Sequence, residues 1–96
     1  MFELKRSKYF DKWYNNIKEA KLKAIVVSRL ERVEKGNFGD CEPVGDGIHE
    51  LRIHYGKGHR IYFKETGKEI ILLLCAGNKQ NQSKTIKLAK KIINEA

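Results

Sequence analysis

The sequence predicts an α+β fold with the element order β-α-α-β-β-β-α. Apolar residues recur every three or four positions between Phe10 and Val33, as on the buried face of helices. Residues 48–64 instead alternate between apolar and polar, and residues 69–76 form an almost continuous apolar run. These patterns predict an antiparallel sheet with an N-terminal helical hairpin packed on one face, and a last strand that is covered on both faces.

The N-terminal elements are predicted from spacing and from the residues at their ends. Residues 2–5 alternate as a short strand does, and Ser7 provides an N-cap for the first helix. A second helix is expected over about residues 19–35, and Gly36 ends it. Residues 36–47 hold four of the eight glycines and the only proline, so they are expected to form a loop.

The C-terminal half is predicted as a hairpin, a third strand and a helix. Gly56-Lys57-Gly58 supplies the glycines of a tight turn between the two alternating strands. Thr66-Gly67 is expected to form the next turn. The last helix is expected to begin near residue 81 or 83 and to end at residue 94.

A chain of 96 residues has room for one domain, which we place at residues 1–96. No apolar stretch approaches the roughly 20 residues of a membrane span. The charged N-terminus lacks the apolar segment of a signal peptide, so a cytoplasmic protein is expected. Cys41 and Cys75 show neither metal-ligand nor disulfide spacing. Cys75 is expected in the core, and no metal or other cofactor is predicted.

The formal net charge of +8 favours a polyanion such as nucleic acid as the partner. The charge is unevenly distributed along the chain. Residues 1–35 carry a net charge of +5, residues 36–50 carry −4, residues 51–64 carry +4 and the remainder carries +3. The basic excess is therefore local, and an acidic segment precedes the strongly basic one.

Strand alternation places the basic residues of the predicted hairpin on one face of the sheet. The residues of that face are Arg52, His54, Arg60, Tyr62 and Lys64, with Glu50 at its edge. Lys57 of the turn and Lys79 after the third strand are expected to add to it at the rim. Arginine donors match phosphate geometry, tyrosine stacks on bases and histidine titrates near neutrality. We therefore predict an RNA-binding face, although an ordinary solvated sheet face explains the same pattern.

Three segments resemble the RelE/ParE toxin superfamily, and most closely its phage-derived addiction-module killer proteins, which are grouped with HigB. They are Val44–Ile53 (VGDGIHELRI), Gly58–Phe63 (GHRIYF) and Leu72–Lys79 (LLLCAGNK). The resemblance covers essentially the whole chain and implies the RelE fold. It also implies the toxin of a type II toxin–antitoxin system, whose cognate antitoxin is encoded next door and is commonly a helix-turn-helix protein.

Ribosome-dependent members of the superfamily cut mRNA, so the resemblance implies a metal-independent endoribonuclease that inhibits translation. Arg52 and Arg60 match the arginines of the E-L-R and G-x-R-[IV]-Y motifs. Lys79 falls where RelE has a catalytic arginine, and Thr85 stands where RelE has a catalytic tyrosine. The resemblance therefore assigns no residue to proton transfer. His54 is our candidate for that role from the residues themselves.

Two alternative functions stay open at this point, and so does the position of the acidic segment in the fold. A ParE-like inhibitor of DNA gyrase belongs to the same superfamily and needs no catalytic residues. A plain RNA-binding module shares the α-β-β-β-α order of the last five elements. The acidic segment, residues 40–50, either folds against the basic face or contacts the antitoxin, and the sequence does not decide between these placements.

Overall fold

One five-stranded sheet lies between two layers of helices in the computed structural model, which describes residues 1–95. The strands are β1 (Glu3–Arg6), β2 (Cys41–Gly45), β3 (Ile48–Ile53), β4 (His59–Gly67) and β5 (Ile70–Asn78). The helices are α1 (Lys8–Asn15), α2 (Ala20–Glu34) and α3 (Gln82–Glu95), and a short 3-10 turn, Lys79–Asn81, precedes α3. No helix within residues 1–95 has both the length and the apolar character needed to cross a membrane.

The sheet is mixed, so the predicted antiparallel arrangement is correct for β3, β4 and β5 and wrong for β1. Its strand order is β1-β5-β4-β3-β2, and β1 runs parallel to β5 while the other neighbours are antiparallel. Alternation along a strand shows which side chains share a face, but it does not show the strand's neighbour or direction. β1 leads into α1 and α2 rather than into a hairpin turn, so no turn sets its direction.

The predicted loop at residues 36–47 contains strand β2, which adds an element to the predicted order. β2 pairs antiparallel with β3 and ends in a bulge between Pro43 and Gly45. It is an edge strand, and an edge strand tolerates proline because one side of it makes no ladder hydrogen bonds. The high content of glycine and proline therefore concealed a strand.

The predicted turn at Thr66-Gly67 lies two residues further along the chain. β4 continues through Gly67, and the turn forms at Lys68 and Glu69, with Glu69 at a φ of +59°. The prediction placed the glycine in the turn because glycine adopts positive φ most readily. Here a glutamate adopts that conformation instead.

The first core lies between the sheet and the two N-terminal helices. Phe10 of α1 and Val26 and Val33 of α2 are fully buried against Leu51 and Ile61 of the sheet. Ser7 caps α1 by accepting a hydrogen bond from the Phe10 backbone N–H at 3.1 Å, and its hydroxyl donates to the Leu74 carbonyl of β5. The predicted helical spacing and N-cap thus set how α1 meets the sheet.

A second core lies on the opposite face of the sheet, beneath α3. Tyr62 and Cys75 are buried there, together with Ala89 and Ile92 of the helix. Burial raises the pKa of the Cys75 thiol to about 12. The sheet face that was predicted to be open to RNA is therefore partly covered by α3. Strand β5 is covered on both faces, as predicted.

Gly77 on β5 gives a direct test of how α3 is seated. A Cβ added there would lie 2.7 Å from Asn81 Oδ1 and 2.7 Å from Thr85 Oγ1, which is too close for any pair of these atoms. We expect Gly77→Ala to lower the free energy of unfolding by about 1–3 kcal/mol, measured by chemical denaturation. Gly67→Ala is the matched control, because its Cβ would meet only Ile70 at an ordinary 3.5 Å. Equal unfolding free energies for the two variants would contradict this seating of α3.

Candidate functional site

Glu50 of β3 is a buried carboxylate that accepts hydrogen bonds from four side chains. Its side chain is 1% exposed, although it was predicted at the edge of the basic face. Oε1 accepts from Arg60 Nη1 at 2.8 Å and from Arg52 Nε at 3.1 Å. Oε2 accepts from the Tyr62 hydroxyl at 2.9 Å and from Gln82 Nε2 at 2.7 Å. Glu50 lies on the predicted face, but its expected position at the edge was wrong, because α3, which contributes Gln82, covers this part of the sheet.

These partners keep Glu50 ionised inside the protein. Burial alone would raise its pKa, but hydrogen bonds from Tyr62, Gln82 and Arg52 and the charge of Arg60 lower it below the ordinary glutamate value. A carboxylate with a lowered pKa stabilises the fold above its unfolded-state pKa. That stabilisation is lost as the pH falls through the lowered value.

Arg52 and Arg60 face each other directly across β3 and β4, as partners in the strand register. Like charges in opposed positions destabilise a sheet unless a counter-charge lies between them. Glu50 supplies that counter-charge, because it accepts a hydrogen bond from each guanidinium. Among residues 1–95, Arg60 Nε is the one buried side-chain nitrogen or oxygen atom without a hydrogen-bond partner.

The acidic segment lies against the basic face, which settles where it folds. Arg52 Nη2 donates to Glu42 Oε2 at 2.5 Å, and Arg52 Nη1 donates to Asp40 Oδ1 at 3.3 Å. Hydrogen bonds from Arg52 to Glu42 and Glu50 raise the pKa of its guanidinium. Arg52 therefore has three carboxylate partners, so its guanidinium is not a free cation in the folded chain.

His54 follows β3, and its side chain is largely exposed, at 76%. Its Nε2 lies 2.5 Å from Asp40 Oδ2. This hydrogen bond is the largest influence on Asp40 and lowers the pKa of its carboxyl group. Asp40 thus contacts both the imidazole of His54 and the guanidinium of Arg52.

Lys79 completes a small pocket at the end of the β3–β4 hairpin. Its backbone N–H donates to the Gly58 carbonyl at 3.3 Å, which ties the 3-10 turn to the hairpin. Among residues 1–95, no carboxylate forms an ion pair with the exposed Lys79 side chain. The pocket has a volume of about 100 Å³ and is lined by Arg52, Ile53, His54, Gly58, His59, Arg60 and Lys79.

All four predicted catalytic residues therefore line one pocket. They are Arg52, His54, Arg60 and Lys79. The pocket is on the scale of a phosphate group rather than of a whole nucleotide. With a neutral imidazole, the charges of its three cations are matched by the three carboxylates of the acidic segment that pair with Arg52. The catalytic role of the four predicted residues stays a prediction.

The other predicted RNA-binding residues lie outside this pocket. Tyr62 is fully buried and its hydroxyl donates to Glu50, so its ring is not free to stack on a base. Burial and the hydrogen bond to Glu50 raise the pKa of this tyrosine. Lys64 lines a separate concavity with Asp46 and Lys90, and Lys57 is exposed in the hairpin turn.

Thr85 does not replace the tyrosine whose position it occupies in the resemblance. It is a buried residue in the first turn of α3, and its hydroxyl donates to the Asn81 carbonyl at 2.9 Å. Sequence reasoning also missed Asp40, Glu42 and Gln82 as neighbours of the arginines. The adjacent acidic and basic segments of equal and opposite charge were the signal that pointed to the first two.

No known protein-family profile matches this sequence. An uncharacterized protein of Haemophilus influenzae is 42% identical to it over 93 residues, which is 97% of this chain and 94% of that protein. Among solved structures, a mutant of the E. coli toxin RelE in the free state superposes with a TM-score of 0.74 at 12% identity. The match covers 94% of this chain and 95% of that chain.

The toxin–antitoxin complex RelBE of E. coli gives a second structural match. Its TM-score is 0.65 at 8% identity, over 81% of this chain and 96% of the matched chain. At such identities a structural match establishes the fold and no more. The structural matches show that the fold is that of the RelE toxin. The 42% identity shows that the chain belongs to one family with the Haemophilus influenzae protein.

Proposed function

We propose that this chain is the toxin of a type II toxin–antitoxin pair, and that it cleaves mRNA on the ribosome. The observation that carries the proposal is the convergence of Arg52, His54, Arg60 and Lys79 on one phosphate-sized pocket. Three cations and an imidazole around such a pocket suit the binding and cleavage of a phosphodiester.

The fold and the sequence motifs support the same assignment. The structural matches are a protein named as a toxin and a complex named as toxin–antitoxin. The motifs around Arg52, Arg60 and Lys79 resemble those of the HigB-like branch. We accordingly propose a cognate antitoxin, of the helix-turn-helix type, as the partner in the cytoplasm.

The proposed reaction needs no metal, because RNA supplies its own nucleophile. His54 accepts the proton of a ribose 2′-hydroxyl, whose oxygen attacks the neighbouring phosphorus. The bond from phosphorus to the 5′-oxygen breaks, the 5′-oxygen takes a proton from water, and a 2′,3′-cyclic phosphate remains. Lys79 and Arg60 stabilise the negative charge that develops on the phosphorane.

The two arginines and the lysine differ in what they contribute. Arg52 and Arg60 are held by carboxylates, so they give the pocket a fixed geometry. Lys79 has no carboxylate partner among the described residues and is exposed. An RNA phosphate can therefore bind Lys79 without first breaking an ion pair within the described chain.

A ParE-like gyrase inhibitor is the second candidate, and one observation favours it. Thr85 is buried where the catalytic tyrosine of RelE is expected, so that position offers no group for proton transfer. A gyrase inhibitor needs no such group.

Loss of the Lys79 ammonium group tests the nuclease directly. We expect Lys79→Ala to lower the rate of mRNA cleavage on translating ribosomes about a hundredfold, because one charge-stabilising donor is removed. Cleavage is measured by primer extension. Lys68→Ala is the matched control, since Lys68 is an exposed lysine in the turn between β4 and β5, away from the pocket. Equal cleavage by the two variants would contradict the proposed site.

Induced expression separates the nuclease from the gyrase inhibitor. We expect growth arrest that co-expression of the adjacent antitoxin relieves, with A-site cleavage of mRNA and with normal DNA supercoiling by purified gyrase. Arrest with failed supercoiling and intact mRNA would establish the gyrase inhibitor instead. Harmless expression would contradict both toxin assignments.

A further inference from the structure

The carboxylate of Asp40 joins two functional side chains of the pocket. Oδ2 contacts His54 Nε2 at 2.5 Å, and Oδ1 accepts from Arg52 Nη1 at 3.3 Å. Glu42, the neighbouring acid on β2, contacts Arg52 but makes no hydrogen bond or ion pair with His54 within the described chain. Of the two acids, Asp40 alone holds the imidazole.

Hydrogen bonds from β3 and α2 hold the backbone around Asp40. The Arg52 backbone N–H donates to the Asp40 carbonyl at 3.0 Å. Arg29 of α2 donates from Nη1 to the Arg52 carbonyl at 2.6 Å and from Nη2 to the Phe38 carbonyl at 3.2 Å. The segment that leads into β2 is thus held to β3 and to α2, which places the Asp40 carboxylate beside His54.

This contact decides which nitrogen of His54 can act as a base. A carboxylate accepts a hydrogen bond, so the neutral ring carries its hydrogen on Nε2 and donates it to Asp40. Nδ1 then keeps its lone pair. Among residues 1–95, no side chain or backbone group forms a hydrogen bond with Nδ1, and the His54 side chain is largely exposed.

We propose that Asp40 is a positioning residue that fixes His54 as the Nε2–H tautomer, so that Nδ1 accepts the proton of the 2′-hydroxyl. The proposal rests on the proposed ribonuclease function. It also gives the acidic segment a purpose beyond neutralising the arginines, since one of its carboxylates orients the imidazole that moves the proton.

A different role for the acids would give a different result. If Asp40 and Glu42 only shielded Arg52 from phosphate, removing either carboxylate would free the guanidinium and raise RNA cleavage. If Asp40 positions His54, removing it lowers the rate of the chemical step. Glu42→Gln must then leave the imidazole tautomer unchanged.

The test combines cleavage kinetics with nitrogen-15 NMR of the histidine rings. Under saturating ribosomes, we expect Asp40→Ala to lower the cleavage rate about tenfold to a hundredfold. Asp46→Asn is the matched control for activity, because Asp46 lies beside Lys90 outside the pocket, and asparagine tolerates its φ of +56°. For the neutral ring of His54, NMR should show the Nε2–H tautomer in the wild type and a mixture of tautomers in Asp40→Ala.

Two results would overturn the proposal. One is increased cleavage by both Asp40→Ala and Glu42→Gln, which would show that the acids act as shields. The other is a wild-type His54 that is not the Nε2–H tautomer, or that keeps this tautomer unchanged in Asp40→Ala. If the wild-type chain cleaves no mRNA, the proposed function fails while the NMR comparison still decides the positioning by Asp40. A fixed tautomer that is lost in Asp40→Ala supports it, and an unchanged mixture overturns it.

Discussion

Glu50 carries a negative charge that is buried where β3, β4 and α3 meet. A buried carboxylate is costly unless charged and polar donors surround it, and Glu50 meets this requirement with two arginines, a tyrosine and a glutamine. The same contacts hold Arg52 and Arg60 side by side in spite of their like charge. The geometry of the pocket therefore depends on this one carboxylate remaining ionised.

The resulting site contains two kinds of side chain: arginines that are held in ion pairs, and exposed side chains that a ligand can reach. Arg52 and Arg60 are anchored by carboxylates, whereas Lys79 and the His54 ring are exposed at the mouth of the pocket. The sequence predicted a basic face on the sheet. In the folded chain, Asp40, Glu42 and Glu50 already neutralise much of it. A partner that closes the pocket has mainly Lys79 and the exposed imidazole to cover.

Much of the fold could be predicted because its periodic signals are strong. The apolar spacing of α2 and the alternation of β3 and β4 predicted those elements, and strand parity placed Glu50, Arg52 and Arg60 on one face. Parity does not reveal what covers a face. Tyr62 and Glu50 were therefore expected in or beside the RNA-binding surface, although α3 buries them both.

The acidic partners were harder to predict for a related reason. Asp40 and Glu42 lie in a segment rich in glycine and proline, which is typical of a loop, yet β2 forms there because an edge strand accommodates Pro43. The opposite charges of segments 36–50 and 51–64 allowed an interaction between them but did not decide whether it forms. Only the register of β2 against β3 shows which carboxylate meets which cation.

The ionisation of Glu50 is the most direct test of this account, and carbon-13 NMR can follow its side-chain carboxyl group through an acid titration. Four donors to a buried carboxylate predict a pKa below the ordinary glutamate value of about 4.3. Tyr62→Phe, which removes one donor while keeping the ring, should raise that pKa. A Glu50 pKa at or above the ordinary value in the wild type would contradict the account, because the four donors would then not stabilise the ionised carboxylate by more than burial destabilises it.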